Sequence, residues 1–239
     1  KETEKALLEK HPQLFFEALK DLNVLHILFP EIAQMIGIPQ SKEHHPEGDV
    51  FVHTMLVLKR SADLSFDLPT RFASLTHDFG KAISYQKYKK LHGHEAAGVS
   101  IIEEFCARLR IPNKLKELGK LTSDNHLRCH KIFELTPKSL QKLLVENFAA
   151  TKQTQRFKQF LQACQCDAQG RGPTLVDKPY SQADFAIYLV EALDLLDSKY
   201  VVKQAITEGK SGPELGEALR IAQISCLKNA ASTYNLNQL

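Results

Sequence analysis

The chain has 239 residues, of which 43% are hydrophobic, and its formal net charge is +3. This length suffices for one large helical domain or two small ones with a sizeable core. No run approaches the ~18–20 apolar residues of a membrane span, and no secretory signal pattern occurs, so we expect no membrane partner. The mild positive charge permits an RNA partner without demonstrating one. The five scattered cysteines predict a reducing cytoplasm.

Hydrophobic residues recur at helical spacing from the beginning of the chain. Residues 1–36 alternate short amphipathic segments with breaks, which indicates a small helical scaffold. Residues 37–49 are rich in Gly, Pro and His and predict the first loop. A helix then starts at Val50, and the next one leads to His77. Residues 82–92 are polar and basic and predict an exposed loop.

Helical spacing continues through the rest of the sequence, and Pro and Gly residues separate the segments. Six further helices are predicted: Gly93 to Pro112, Pro112 to His126 or His130, Pro137 to Phe148, Gln153 to Cys166, a long one over Ala183 to Ile206, and Pro213 to about Ala230. No segment has the period of two that is typical of a strand. The predicted fold class is therefore all-α, a helical bundle with flanking N-terminal and C-terminal helices.

Most of the ten histidines crowd into the stretch from His44 to His130. Within it, His77 and Asp78 stand side by side at the end of a predicted helix. A neutral imidazole and a carboxylate are the usual ligand pair for a divalent metal of intermediate hardness. Lys81 follows three residues later, and we predict that its ammonium group holds an anionic substrate oxygen beside that metal.

Two more residues complete a candidate ligand set. His53 has apolar neighbours, where an isolated histidine is more often a hydrogen-bonded core residue. Asp167 lies at the C-terminus of a predicted helix, where the helix dipole disfavours a carboxylate unless a cation offsets it. Found together with the adjacent pair, these residues favour metal binding. We therefore predict that His53, His77, Asp78 and Asp167 converge on one ion.

In series these four residues resemble the signature of the HD phosphohydrolase superfamily. The resemblance implies an HD-domain helical bundle. In many HD proteins two further histidines hold a second metal, which the aspartate of the pair bridges, so that two ions clamp one phosphoryl group. His94 and His126 are our candidates, with His130 a less favoured substitute. For three loop histidines the sequence does not decide between a place on the protein surface and one at the rim of the site: His44, His45 and His92.

A more specific resemblance is to the family of bacterial multifunctional CCA proteins, tRNA nucleotidyltransferases with a C-terminal HD domain. Residues 45–54, His-Pro-Glu-Gly-Asp-Val-Phe-Val-His-Thr, carry the most specific match. Four shorter stretches also match: 38–40, 76–81, 92–99 and 167–171. The resemblance covers essentially the whole chain but includes no glycine-rich loop with paired catalytic carboxylates. Together with the start at Lys1, this leads us to expect a C-terminal fragment that does not add nucleotides by itself.

The resemblance implies three parts: a helical neck segment over 1–46, the HD phosphohydrolase domain over 47–172 and a helical tail over 173–239. It implies a cytoplasmic, metal-dependent phosphohydrolase with 2′,3′-cyclic phosphodiesterase, 2′-nucleotidase and phosphatase activities. The expected partners are tRNA or RNA 3′ ends and small phosphoesters, and the expected cofactors are one or two divalent ions, Mg, Mn or Ni. The sequence fixes neither the metal nor the oligomeric state, for which a homodimer is one candidate.

The predicted catalytic residues are Lys81, Asp78 and Arg171, the last of which would either pair with the phosphate or cap the turn at Asp167. Two alternative functions stay open. One is a tRNA-binding module with a structural metal site, which would grip the acceptor stem through the tail helices and the basic residues 87–90. The other is an HD hydrolase of free nucleotides. Four converging ligands favour the enzyme, since a binding surface does not need them.

Overall fold

The computed structural model describes residues 2–234, and helices account for 71% of them. Within this range no strand forms, and an isolated antiparallel bridge joins Pro39 and Asp49. The predicted all-α class is confirmed. The helices are α1 (Glu2–Leu8), α2 (Gln13–Asp21), α3 (Leu25–Leu28), α4 (Pro30–Ala33), α5 (Val50–Asp63), α6 (Leu68–Thr76), α7 (Gly80–Tyr88), α8 (His94–Leu109), α9 (Asn113–His130), α10 (Pro137–Gln141), α11 (Thr154–Gln169), α12 (Ser181–Asp194), α13 (Ser198–Thr207) and α14 (Pro213–Thr233).

The helices fall into two compact units. The first contains the residues up to His130 together with 158–180, and the second contains 131–157 and the residues from Ser181 onwards. The predicted boundaries at residues 46 and 172 come from the family resemblance, and they remain a prediction beside these units. No described helix has both the length and the apolar character that crossing a membrane requires.

The core of the first unit gathers around the ring of Phe105 on α8. The rings of Phe72 and Phe79 pack against it, with centroids 6.3 and 5.3 Å away. Phe72 belongs to α6, which begins at a cap where the Asp67 carboxylate accepts a hydrogen bond from the N–H of Thr70 (3.1 Å). This cap and the buried aromatic side fix the direction of α6. Its C-terminal end therefore points into the interior of the unit.

The expectation of an exposed loop over 82–92 is wrong for most of that stretch, since α7 occupies it as far as Tyr88. Small side chains at Ala82 and Ser84 form the buried side of this short helix. The backbone approaches α8 so closely at Gly80 that an added Cβ would lie 1.9 Å from the carbonyl oxygen of His94. A helix that packs through glycine and small residues leaves no stripe of large apolar side chains. Its hydrophobic periodicity is correspondingly weak.

The second unit is organised on α14, which packs against α10, α12 and α13. The long helix predicted over Ala183 to Ile206 is in fact two helices, α12 and α13. The break occurs because the carboxylate of Asp197 accepts a hydrogen bond from the N–H of Tyr200 (2.9 Å) and begins a new helix.

The close approach of α7 to α8 yields a stability prediction. Gly80→Ala should destabilise the protein by about 3 kcal/mol, because backbone atoms on both helices would have to separate. Gly216→Ala is the matched control, since nothing lies within 4 Å of a Cβ at this position in α14. The control should be neutral or stabilising by up to about 1 kcal/mol. Urea unfolding of both variants measures the difference, and equal stabilities would contradict the prediction.

Candidate metal centre

His53 is presented by the first turn of α5. This helix begins at Asp49, whose carboxylate accepts hydrogen bonds from the N–H groups of Val52 (3.0 Å) and Gly37 (2.7 Å). The same side chain therefore ties the preceding loop to the helix. His53 itself is completely buried. Because the start of α5 is fixed at both contacts, the imidazole enters the interior at a defined position.

His77 and Asp78 follow directly after the last residue of α6, and both are buried. Nδ1 of His77 donates a hydrogen bond to the carbonyl of Ser74 (2.8 Å). Its Nε2 consequently faces the carboxylate of Asp78, 3.1 Å from Oδ2. The two adjacent side chains thus reach one point, as binding to a common ion requires.

Asp167 arrives from the last turn of α11 and joins this point. Its Oδ1 lies 3.1 Å from Nε2 of His53 and 3.9 Å from Nε2 of His77. Oδ2 of Asp78 lies 3.7 Å from Nε2 of His53. We call these four side chains the His53 group. Ligand atoms that are each 2.0–2.2 Å from one ion lie about 3–3.5 Å apart, and the observed separations are close to this.

The second pair of predicted histidines lies on the other side of Asp78. Nε2 of His94 is 3.3 Å from Oδ1 of Asp78, and Nε2 of His126 is 3.7 Å from the same oxygen. The two Nε2 atoms are 3.3 Å apart. We call Asp78, His94 and His126 the His94 group. Asp78 therefore offers one carboxylate oxygen to each group.

The hydrogen atoms of the His94 group point away from its centre. Nδ1 of His94 donates to the carbonyl of Leu91 (2.7 Å), and Nδ1 of His126 donates to that of Ser123 (3.0 Å). In a neutral imidazole bound this way, Nε2 carries a lone pair. Two lone pairs and a carboxylate oxygen then face one another without a donor, an arrangement that a cation relieves. The residues present therefore fit a bound divalent metal.

The protonation of the site agrees with this arrangement. Burial lowers the pKa of His126 to about 3, so its ring is neutral at physiological pH. Burial also opposes the charge on Asp78, but the neighbouring His77 and Lys81 outweigh it and hold the pKa of this carboxyl well below its usual range. The pKa of His77 is raised, because the charges of Asp78 and Asp167 outweigh its burial. The negative charges of Asp78 and Asp167, which favour a proton on His77, also favour a metal cation.

His130 occupies a different place from His126, although it lies one turn further along α9. Its Nε2 donates to Oδ2 of Asp167 (2.6 Å), and its Nδ1 lies 2.8 Å from the hydroxyl of Tyr180. The geometry thus places His126, and not His130, beside His94. Tyr180 is a site residue that the sequence analysis missed, since it lies beyond the stretches that match the family.

Lys81 and Arg171, the two predicted cationic residues, both reach the centre. Nζ of Lys81 lies 2.6 Å from Oδ2 of Asp78 and donates to Oε1 of Gln40 (2.6 Å). Nη2 of Arg171 donates to Oδ1 of Asp167 (3.1 Å), and its Nε donates to the main-chain carbonyl of the same residue (3.2 Å). Of the two roles left open for Arg171, these contacts correspond to the cap on the Asp167 turn, and pairing with a phosphate remains a prediction. Gln40 is another missed residue, although it lies in the matching stretch 38–40.

Glu47 is the third residue that the sequence analysis missed. Its Oε1 lies 2.8 Å from Nδ1 of His45 and 2.7 Å from Nδ1 of His53. Burial opposes its charge, but the hydrogen bonds to both histidines lower the pKa of the carboxyl to about 2. Its place in the most specific matching stretch, six residues before His53, was the available signal. Among the three open histidines, His45 lies at the rim of the site, whereas His44 and His92 are exposed.

Two family profiles match parts of the chain. The profile of the HD domain matches residues 50–150, and a profile described as the probable RNA and SrmB-binding site of polymerase A matches residues 1–36. Multifunctional CCA proteins are similar along almost the whole chain. The identity is 40% to that of Teredinibacter turnerae (98% of this chain, 56% of the relative), 39% to that of Acinetobacter baumannii strain SDF (96% and 55%) and 37% to that of Haemophilus influenzae strain PittGG (99% and 57%).

The HD profile covers the part of the chain that carries His53, His77, Asp78, His94 and His126, so residues 50–150 form an HD domain. It corresponds to the C-terminal part of the multifunctional CCA proteins and spans about 56% of the length of these relatives. The resemblance noted from the sequence is thereby confirmed. The roles of individual residues follow from the geometry and remain proposals.

The buried contact between Lys81 and Asp78 predicts a stability difference that needs no substrate. Lys81→Met should destabilise the chelator-treated protein by about 3 kcal/mol, because it leaves a buried carboxylate without its nearest cation. Lys210→Met removes an exposed partner of Glu208 (2.7 Å) and should cost at most about 0.5 kcal/mol. Urea unfolding compares the two, and a similarly small effect of both changes would contradict the buried pairing.

Proposed function

We propose that this chain is the metal-dependent phosphohydrolase part of a CCA-adding tRNA nucleotidyltransferase. Its substrates would be phosphate esters at RNA 3′ ends, including 2′,3′-cyclic phosphates and 2′-phosphates, and small phosphoesters. The observation that carries the proposal is the buried carboxylate of Asp78, which offers Oδ2 to the His53 group and Oδ1 to the His94 group. The similarity to multifunctional CCA proteins and the match to an RNA-binding profile support the connection with tRNA.

In this proposal the ligands are His53, His77 and Asp167 on one side, and His94 and His126 on the other, with Asp78 shared. Bound divalent ions would polarise the phosphoryl oxygens and lower the pKa of water. Four imidazoles among six ligands favour Ni²⁺ over Mg²⁺, since magnesium prefers oxygen ligands. One or two ions are compatible with the two groups.

Lys81 is the residue that would hold the substrate. Its ammonium lies 2.6 Å from Oδ2 of Asp78, so an anionic phosphoryl oxygen held at the centre would come within reach of the same group. Gln40 holds this ammonium from another side. Arg171, whose side chain is about one-fifth exposed, would add a second positive charge near Asp167.

RNA binding would rest on surfaces outside the metal centre. Residues 1–36 match the RNA-binding profile, and exposed lysines at the end of α7 lie against tyrosine rings, with Nζ of Lys87 5.0 Å from the Tyr88 ring. Contacts of this kind bind phosphates and bases without contributing to hydrolysis. They also define the second candidate function, a tRNA-binding module in which the metal is structural. Hydrolysis of free nucleotides would need no such surface.

Asp78→Ala separates the enzyme from the binding module. The variant should lose bound metal and hydrolysis of 2′,3′-cyclic nucleotides, because both groups share this carboxylate. Its tRNA affinity should remain within about twofold of the parent, since phosphate contacts elsewhere carry that binding. Metal analysis, turnover and tRNA titration measure the three properties. Asp124→Ala, which removes an exposed carboxylate from α9, is the control. If Asp78→Ala kept the phosphodiesterase rate, the proposed catalytic function would be contradicted and the binding module would be favoured.

Lys81→Ala tests the step after metal binding. This variant should keep its metal and lose about 10²–10³ in turnover, the usual effect of removing one preorganised charge at a phosphoryl group. Lys210→Ala is the control, because this lysine is exposed and pairs with its near neighbour Glu208 (2.7 Å), far from the centre in sequence. Metal content and steady-state kinetics are measured on the same preparations. Loss of metal from Lys81→Ala would assign this lysine to the integrity of the site instead of to the substrate.

A further inference from the structure

Two histidines one turn apart on α9 have different partners. His126 directs Nε2 at Asp78 and at His94, as described above. His130 is the last residue of the helix and directs its Nε2 at Oδ2 of Asp167, 2.6 Å away. Because a carboxylate oxygen can only accept, Nε2 of His130 is the donor. The contact orients Asp167 from the side opposite to the His53 group.

The two oxygens of Asp167 are therefore used separately. Oδ1 lies 3.1 Å from Nε2 of His53 and is the oxygen that the His53 group contains. Oδ2 is occupied by His130. Asp167 belongs to the last turn of α11, where the helix dipole disfavours a carboxylate and gives no orientation to it. Without the contact to Oδ2, Arg171 would hold Asp167 only through Oδ1 and the main-chain carbonyl, and the plane of the carboxylate could turn away from the orientation that directs an oxygen at His53.

Tyr180 contacts His130 through both its hydroxyl and its ring. Its hydroxyl lies 2.8 Å from Nδ1 of His130, and its ring packs edge-on against the imidazole, with centroids 5.7 Å apart. The tyrosine is buried, and its hydroxyl also lies 3.4 Å from Sγ of Cys129. The single hydroxyl proton can go to Sγ of Cys129 or to the closer Nδ1 of His130, and when it goes to Nδ1 the ring proton of a neutral His130 is on Nε2, where Asp167 needs it.

We propose that His130 and Tyr180 are positioning residues of the metal centre. Tyr180 fixes the ring orientation and tautomer of His130, and His130 holds Oδ2 of Asp167 so that Oδ1 is presented to His53 and His77. This inference rests on the proposed function, since it requires that the His53 group bind a metal. Partners that orient metal ligands in this way typically contribute 10–100-fold to metal affinity, although they do not touch the ion.

The test is equilibrium binding of Ni²⁺ to the whole chain in the absence of any substrate. His130→Ala should weaken the binding of one Ni²⁺ about 10–100-fold. His130→Gln should recover part of this loss, because the amide N–H of glutamine can donate to Asp167 from about the position of Nε2. Tyr180→Phe keeps the buried ring, and its Ni²⁺ affinity should lie between that of His130→Ala and that of the parent protein.

Two controls separate positioning from general damage. Cys129→Ala removes the other contact of the Tyr180 hydroxyl, and Tyr188→Phe removes a hydroxyl that lies 3.0 Å from Oγ1 of Thr233 in the second unit. Both should bind Ni²⁺ as the parent does, and far-UV circular dichroism checks that every variant is folded. If His130→Ala does not fold, Tyr180→Phe alone decides.

The outcomes distinguish this inference from the function on which it rests. Parent-like Ni²⁺ binding by Tyr180→Phe and by a folded His130→Ala would overturn the positioning roles while leaving the metal centre intact. A loss in Cys129→Ala equal to that in Tyr180→Phe would also overturn them, because packing would then explain both. A parent protein that binds no divalent metal would instead refute the proposed function.

Discussion

The structure depends on one electrostatic constraint, the convergence of hydrogen-bond acceptors on a buried carboxylate. Both oxygens of Asp78 and Nε2 of His77 are buried without an aligned hydrogen bond. Buried acceptors facing each other are costly in a medium of low dielectric constant, and the cost grows with each one added. The ammonium of Lys81 compensates one side of Asp78, and a divalent ion in each group would compensate the rest. The helices around the site keep these acceptors together by packing that does not involve them.

Most residues of the site lie at the ends of these packed helices. α5 begins at the cap on Asp49, α6 ends just before His77, α8 begins at His94, and α11 ends just after Asp167. Helix ends have unpaired backbone groups, so a side chain at an end can reach inward without disturbing a helical face. His126 is the exception, one turn before the end of α9. The position of the site residues therefore depends mainly on where the helices start and stop.

The sequence predicted the all-α class because apolar periodicity marks long helices. The candidate residues that meet at Asp78 came from the adjacent His77-Asp78 pair and from the resemblance to HD proteins, which implied His94 and His126. The sequence-based predictions were wrong for two local features, the loop over 82–92 and the single long helix over Ala183 to Ile206. α7 packs through Gly80, Ala82 and Ser84 and lacks an apolar stripe, and the cap at Asp197 divides a segment whose periodicity continues through it.

Residues that support the site were harder to predict than its candidate ligands. Gln40, Glu47 and Tyr180 are ordinary polar residues whose importance comes from which side chain they meet, and those partners lie 41, 6 and 50 positions away. No spacing rule connects residues at such separations. The sequence favoured His126 over His130 without deciding between them, and the contacts of His126 to Asp78 and of His130 to Asp167 and Tyr180 separate the two.

The close approach of Gly80 to the carbonyl of His94 has a consequence for how the chain can vary. Lys81 and His94 contact the same carboxylate from neighbouring helices, and the segment that joins those helices, 89–93, is a surface turn. Since the backbone contact itself determines the spacing of α7 and α8, the length of the turn does not. Homologous chains should therefore accept insertions and deletions at 89–90, ahead of the Leu91 carbonyl that holds Nδ1 of His94, while the distance between Lys81 and His94 stays constant.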